Sequence, residues 1–415
     1  MIDPKLIREN IDHVKNKLQQ RGESLDTLNA YVAADNEWRQ QLTQIDQLKM
    51  QRNQQTPKGK PTAEHLQQLK QLSQDIKQRQ EVLAQLEEKV KIHALRLPNI
   101  PADEVPQGQS EDDNELVATV GDIPIVDFEV LAHSDCKASQ DNLNFSQATV
   151  VTGSRFVIYQ NQYASLERAL INFMLDTHTK DHGYQEVLPP VIVNSKSLQG
   201  TGQLPKFKED LFKIEDTDYW LSPTAEVQLT NLFQETITPE EQLPKKITAA
   251  TACFRKEAGS YGKDIKGIIR QHQFNKVELV QITTPETSMA ALKELLSHAE
   301  KILKLLQLPY RVVKLCTKDL GFSAAITYDI EVWFPSQKKY REISSCSNFL
   351  DFQSRRAMIR YKSKQTKTVA YAHTINGSGI AVGRAMAAII ENYQQKDGSV
   401  IVPKVLRKYL GYEQI

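Results

Sequence analysis

Two stretches near the start of the chain carry large side chains at alternating intervals of three and four. Leu28, Tyr31, Asp35, Trp38, Leu42, Ile45 and Lys49 form the first, and Leu69, Leu72, Ile76, Arg79, Leu83, Leu86 and Val90 the second. That spacing puts each set on one narrow stripe of a helix, the seam of a coiled coil. Between them, Thr56-Pro57-Lys58-Gly59-Lys60-Pro61 cannot continue a helix, so the chain turns there. The pattern predicts an antiparallel helical hairpin, an arm of roughly 40–45 Å at ~1.5 Å per residue. Stripes this narrow cover each other and leave little for a third surface, which favours a projecting arm over a bundle packed on the body.

From Leu97 to Cys136 there is no Lys or Arg, ten acidic residues and four prolines, and this stretch reads as an irregular, solvated connection. From about Thr152 the periodicity becomes mixed. Ser165–His178 and Met289–Leu306 read as helices, and a last helix runs from near Gly383 to Gln394. Tyr184–Val193 reads as a strand, demoted to an edge or interface by Pro189-Pro190. Further strands are predicted at 247–255, 267–282, 326–334, 339–344 and 367–375. Strands mostly follow strands, which favours an α+β domain built on an antiparallel sheet flanked by helices. The expected division is a helical arm over 1–103, an entry segment over 104–150 and the α+β domain over 151–415.

Charge excludes a bulk polybasic or polyacidic protein: 52 basic residues face 51 acidic ones. A nucleic-acid partner stays open, because charge can be segregated along a chain. No apolar run reaches the ~18 residues of a membrane span, and the start has no signal-peptide layout, so no membrane role is expected. Cys136, Cys253, Cys316 and Cys346 are far apart, which argues against a disulfide framework or thiolate zinc site and for a cytoplasmic home.

Four segments could carry chemistry. Asn376-Gly377-Ser378-Gly379-Ile380-Ala381-Val382-Gly383-Arg384 lies between a predicted strand and helix. There, backbone amides could meet an anion, or the glycines could simply allow close packing. It matches neither a P-loop nor a dinucleotide fingerprint. In the strand predicted after Gly267, alternation puts Arg270, His272, Phe274, Lys276 and Glu278 on one face. Such a face suits an adenine on Phe274, a phosphate on Arg and an ammonium on Glu278, or else an exposed strand with cross-strand ion pairs. Thr224-Ala225-Glu226 offers a hydroxyl and a carboxylate at i and i+2 of a strand. Glu342-Ile343-Ser344-Ser345 gathers oxygen donors that could hold Mg²⁺ against phosphates.

Together these segments resemble the seryl-tRNA synthetases, class II aminoacyl-tRNA synthetases, in their bacterial form. The resemblance rests on M-I-D-P-K-L-I-R-E-N at the start, T-G-Q-L-P-K-F at 201–207, L-S-P-T-A-E-V at 221–227 and C-F-R-K-E-A-G-S-Y-G at 253–262. It continues with R-Q-H-Q-F-N-K-V-E at 270–278, R-E-I-S-S-C-S-N at 341–348 and N-G-S-G-I-A-V-G-R at 376–384. The segments at 253–262 and 376–384 look like class motifs 2 and 3, and Pro189-Pro190 resembles motif 1.

The resemblance implies ATP-dependent attachment of L-serine to tRNA(Ser), and to tRNA(Sec), through a seryl-adenylate. It implies catalysis by Arg255, Arg384 and Glu342, and serine contacts from Thr224, Ala225, Glu226, Arg255, Glu278 and Ser378. ATP would meet Arg255, Lys256, Glu257, Phe274, Glu342, Ile343, Ser344, Ser345 and Arg384, with Mg²⁺ on Glu342 and Ser345. It further implies a homodimer through the Pro189-Pro190 region, no DNA partner, and an arm that reads the long variable arm of the tRNA. Lys49, Arg52, Lys58, Lys60, Lys70, Lys77 and Arg79 are the candidate RNA contacts. Residues 1–100 hold 16 basic and 13 acidic residues, net +3, which sets a modest electrostatic attraction. The segment 127–150 departs from the family by lacking a Glu-Leu-Gly pattern. A ligase that loads a protein carrier would lack the long arm, and a non-enzymatic coiled-coil protein would not need the phosphate-binding set.

Overall fold

The computed structural model describes residues 1–56, 62–258 and 266–415. Lys58 and Lys60 of the expected turn, and residues 259–265, which include the last residues of the motif 2 segment, lie outside the described residues. Contacts divide the chain into two units, Met1–Pro98 and Asn99–Ile415.

In the first unit, Asp3 caps α1 (Pro4–Glu9) by accepting from the Lys5 amide, and α2 (Ile11–Gln20) follows. The two long helices are α3 (Asp26–Gln55) and α4 (Ala63–Arg96), whose start is capped by the Thr62 hydroxyl. They run antiparallel and somewhat longer than expected, 30 and 34 residues, or about 45 and 50 Å. The predicted stripe is the buried one: Leu28, Tyr31, Ile45, Ile76 and Leu86 are enclosed, while their neighbours on the outer faces are exposed. The polar seam positions are held by specific partners. Asp35 is buried and accepts from Arg8 Nε at 2.9 Å and Arg39 Nε at 3.0 Å. Arg79 donates across the pair to Gln41 at 3.0 Å and to Gln44.

Burial works to raise the Asp35 carboxyl, but the Arg8 bond and the charges of Arg8 and Arg39 outweigh it and hold it below the ordinary value. A depressed carboxyl contributes stability that is present above its unfolded pKa and is lost as pH falls through the folded one. The arm is therefore expected to hold its full Asp35 contribution at neutral pH and to lose it only below the usual carboxylate range. Asp35→Ala should destabilise this unit by about 2–3 kcal/mol, the cost of removing a charge-assisted buried acceptor. Denaturant unfolding monitored by helix content at pH 7 and in progressively stronger acid checks both: the gap between wild type and variant should narrow as pH falls below the usual carboxylate range.

The second unit is built on an eight-stranded sheet. Its strands in chain order are β1 (Glu115–Val120), β2 (Gln185–Glu186), β3 (Lys245–Phe254) and β4 (Gln273–Thr283). They continue with β5 (Tyr310–Lys314), β6 (Ile326–Phe334), β7 (Lys339–Asn348) and β8 (His373–Ala381). The spatial order is β1-β5-β6-β7-β8-β4-β3-β2, antiparallel throughout except for the β2–β3 pair. One face packs on α5 (Asn161–Lys180), α7 (Ser288–Leu306) and α8 (Val382–Asn392), where Leu170, Met174, Leu295, Ile302, Met386 and Ile389 meet Val277 and Leu279. On the other face the short α6 (Glu226–Asn231) packs Leu229 against Ile247, Ala249, Val280 and Ile282.

The structure corrects several sequence expectations. The strand expected over Tyr184–Val193 breaks at the prolines into β2 and a separate pair, Ile192–Asn194 with Tyr219–Leu221, because Pro189-Pro190 cannot donate to a ladder. The strand expected from Gly267 begins only at Gln273. The acidic stretch is not wholly irregular, since it supplies the edge strand β1. Residues 376–381 are the end of β8 rather than a loop. A Cβ on Gly377 would lie 2.4 Å from Leu295, and one on Gly379 2.7 Å from His178. Gly377 and Gly379 thus serve close packing.

Candidate active site

The polar face of β4 opens onto a cleft of about 570 Å³, a size that suits a nucleotide-sized ligand. Eleven of the fourteen residues nominated from the sequence for serine, ATP or metal line it. The three that do not are Ala225, Lys256 and Ser344. Ala225 lies in the apolar cluster under α6. The Lys256 amide donates to the Asp210 carbonyl and its ammonium lies 5.7 Å from the Phe212 ring centre. Ser344 is buried and donates to the Ser378 carbonyl at 2.6 Å, tying β7 to β8.

Two arginines reach the cleft from elements far apart in sequence. Arg255 follows the end of β3, and its amide donates to the His272 carbonyl, continuing the ladder past the strand. Its Nε donates to the Pro223 carbonyl at 3.2 Å, and its guanidinium lies 5.3 Å from the centre of Phe274. Arg384 stands in the first turn of α8. Its Nε donates to the Ile269 carbonyl at 3.3 Å and its Nη1 to the Glu342 carbonyl at 2.6 Å. The Glu342 carboxylate is 3.4 Å from Arg384 and half-exposed to the cleft. Crowding by protein works to raise its pKa, yet the charges of Arg384 and Arg255 together hold it below the ordinary value. Both guanidinium groups therefore favour the same ionised carboxyl, and both line the cleft.

A second cluster lies deeper. Thr224 Oγ1 donates to Glu278 Oε2 at 2.6 Å and accepts from Lys276 Nζ at 3.0 Å, and Lys276 pairs with Glu278. Thr224 and Glu226 are not on a strand as expected: Thr224 precedes α6 and its hydroxyl accepts from the Glu226 amide at 3.2 Å. Ser378 sits directly opposite Glu278 in the β8–β4 register. Burial and the nearby Glu278 push the Glu226 carboxyl up to about 7, against a bond from Gln353 at 2.6 Å.

Other outcomes differ from the alternation argument. Phe274, Lys276 and Glu278 do share the cleft face, but His272 turns away, donating to the Arg255 carbonyl at 2.9 Å and packing on Phe156 and Phe212. Arg270 lies before the strand yet lines the cleft, 2.6 Å from the Glu257 carboxylate. Sequence reasoning left Lys276, Asn376 and Gln353 out of the site set. Lys276 was visible between Phe274 and Glu278 on the same face, whereas nothing local marks Gln353, which reaches Glu226 from 127 residues away.

Residues 208–393 match the family model of the class II tRNA synthetase core domain (G, H, P, S and T), and residues 1–101 match that of the seryl-tRNA synthetase N-terminal domain. A serine–tRNA ligase of Exiguobacterium sibiricum is 50% identical over 99% of this chain and 98% of its own length. One from Listeria monocytogenes is 51% identical over the same shares. The chain belongs to the seryl-tRNA synthetase family. As a member it is a serine–tRNA ligase, charging tRNA(Ser) for protein biosynthesis. The crystal structure of seryl-tRNA synthetase from Pyrococcus horikoshii complexed with ATP aligns with TM-score 0.94 at 37% identity, covering 100% of this chain and 99% of that one. The cytoplasmic serine–tRNA ligase from Naegleria fowleri in complex with AMP aligns with TM-score 0.88 at 29% identity, covering 99% and 96%. No described helix of this synthetase is long and apolar enough to cross a membrane.

Proposed function

We propose that this cleft joins L-serine to tRNA in two steps. The serine carboxylate oxygen attacks the α-phosphorus of ATP in line, the bond to the bridging oxygen breaks, and pyrophosphate leaves. The 3′-terminal hydroxyl of the tRNA then attacks the adenylate carbonyl, and AMP leaves with the electron pair. The attacking carboxylate is already ionised, so the first step needs positioned positive charge more than a base. Arg255 takes the α-phosphate and the serine carboxylate, and Arg384 the γ-phosphate of a bent ATP. Phe274 carries the adenine, and Glu257 accepts from its amino group. Glu278 takes the serine ammonium, while Thr224, Glu226 and Ser378 complete the pocket around the amino acid.

The observation that carries this reading is that Arg255 and Arg384, from elements far apart in sequence, line one cleft with Glu342, Thr224, Lys276 and Glu278. The decisive experiment is pyrophosphate exchange with each of the twenty amino acids, with and without tRNA. Serine alone should support it.

The residues also fit Mg²⁺. Asp329 stands opposite Ser345 in the β6–β7 register, and its buried Oδ1 has no partner among the described residues. Burial and Glu342 push its carboxyl up, which marks a place short of positive charge. No group of three or more ligating His, Cys, Asp or Glu exists among the described residues, so Glu342 and Ser345 would share the ion with ATP oxygens, as magnesium in nucleotide sites commonly does. Bound there, the ion would neutralise phosphate charge.

The arm is proposed to hold the long variable arm of tRNA(Ser), and of tRNA(Sec), by shape and backbone contacts. Lys70 and Lys77 are exposed on α4, and Lys49 and Arg52 are part-exposed on α3. Arg79 is partly engaged across the seam. The affinity for tRNA should fall as salt rises, and Lys70→Gln with Lys77→Gln should lower the slope of log affinity against log salt by about 1 per lost phosphate contact. Filter binding at several salt concentrations checks this. A homodimer through the motif 1 region is supported by the exposed Leu188 beside Pro189-Pro190 and by the edge position of β2. A cytoplasmic location is supported by four buried, free cysteines.

A further inference from the structure

His133 belongs to the segment 127–150 that departs from the family pattern, and nothing in the reaction above uses it. It is 2% exposed. Its ring joins the cleft-lining Ile268 to Glu391 on α8. Nε2 accepts from the Ile268 amide at 3.1 Å, so the proton sits on Nδ1, which donates to Glu391 at 2.9 Å. Glu391 is itself buried and also accepts from the His133 amide at 3.0 Å and the Ser336 amide at 3.2 Å. The approach requires glycine at the preceding residue. Gly267 has φ +90°, and a Cβ there would lie 2.2 Å from His133 Nε2.

The consequence lies on the cleft side of the same strip. Ile269, next to Ile268, accepts from Arg384 through its carbonyl, and Arg270 follows, paired with Glu257. Arg384 and Glu391 are seven residues apart on α8, two helical turns, and therefore on the same side of the helix. α8 thus grips residues 268–270 twice, directly through Arg384 and indirectly through Glu391 and His133. Ala258, in the motif 2 segment, is held separately, its amide donating to Asp210 at 3.0 Å.

We propose that His133 is a positioning residue for ATP: by accepting from the Ile268 amide, it sets Arg270 and Arg384 in one fixed relation to the triphosphate. The proposal rests on the reading of this cleft as the ATP site. It assigns the ring two separable contacts. His133→Asn keeps an N–H near Nδ1 for Glu391 and removes the acceptor for Ile268. His133→Gln places an oxygen near Nε2 for Ile268 and gives up Glu391.

In pyrophosphate exchange by the full-length protein, His133→Asn should raise KM for ATP about tenfold, the size expected when a buried amide loses its acceptor. KM for serine should stay within about twofold, since the serine cluster hangs on β4, β8 and α6. His133→Gln should keep KM for ATP near the wild-type value. Equal ATP effects in the two variants, or equal effects on serine and ATP, would overturn the proposal and leave His133 a packing residue. Hydrogen exchange of the unsubstituted protein supplies a test that needs no variant: the Ile268 amide should be protected far beyond a solvent-exposed amide, and rapid exchange there would also overturn it. If instead Arg384→Ala leaves ATP affinity unchanged while Ile268 is protected, it is the assignment of the ATP site that fails.

Discussion

Arg384→Ala is expected to slow serine-dependent pyrophosphate exchange about 10²–10³-fold, a loss of ~3–4 kcal/mol of transition-state stabilisation. The argument is electrostatic. Charge spreads over the transferring phosphoryl group and the leaving pyrophosphate, and only groups already aimed at that charge help without reorganising. Arg384 is held in place before any ligand arrives, by the Ile269 carbonyl on Nε and the Glu342 carbonyl on Nη1. Lysine has one nitrogen where arginine presents Nε and Nη1 in a fixed fork, so Arg384→Lys should recover less than a tenth of the lost rate. Arg255→Ala should cost a similar amount. The double variant should fall short of the product of the two, because both guanidinium groups act on one charge. Steady-state exchange rates at varied ATP measure all of this, and a loss under threefold for Arg384→Ala would contradict it.

Glu278→Gln is expected to raise KM for serine about 10²-fold while moving KM for ATP by less than about threefold. A buried carboxylate facing an ammonium makes a charge-assisted bond worth ~1.5–3 kcal/mol, and the neutral amide gives most of that up. Serine affinity should also depend on pH through Glu226, whose carboxyl sits at about 7. Below that value it is protonated and neutral. Above it, the pocket gains a negative charge beside the serine ammonium, so KM for serine should fall as pH rises through 7. Glu226→Gln keeps an acceptor for Gln353 and should flatten that profile. The raised value carries the opposite sign for stability: ionised Glu226 costs stability that sets in as pH rises above its unfolded pKa and is complete above about 7. Thermal unfolding of wild type and Glu226→Gln across this range should therefore diverge toward alkaline pH, with the variant the more stable.

Local pattern was enough wherever one short-range rule decided the outcome. The arm is the clearest case, since a stripe of one residue in every three or four needs only a partner stripe, and the two helices end at Gln55 and start at Ala63, on either side of the expected break. β3, β6 and β7 were also legible, because alternation between core and cleft sides is a property of each strand alone. The expected strand face of Phe274, Lys276 and Glu278 holds for the same reason and fails at His272, where the strand has not yet begun, while Arg270 reaches the same cleft from before the strand.

Glycine misled the reading of 376–381, since it is a poor strand former and a common loop residue. What demands it is the approach of Leu295 and His178 from two other helices. β1 and β5 escaped notice because they are short and β1 is exposed along most of its length.

By itself, then, the sequence determined the chemical inventory: a heptad hairpin, an α+β body, and a set of cations, carboxylates and hydroxyls in the order of a known family. Only the tertiary structure decided which of these meet. Arg255 and Arg384 share the field of Glu342 across 129 residues of chain, Gln353 finds Glu226, and His133 joins Glu391 to Ile268. The reason is physical. Periodicity reports the side of an element that is buried, which each segment settles from its own side chains. Distances between residues on different elements depend on sheet order, register and close packing, and these are settled only when the whole core assembles.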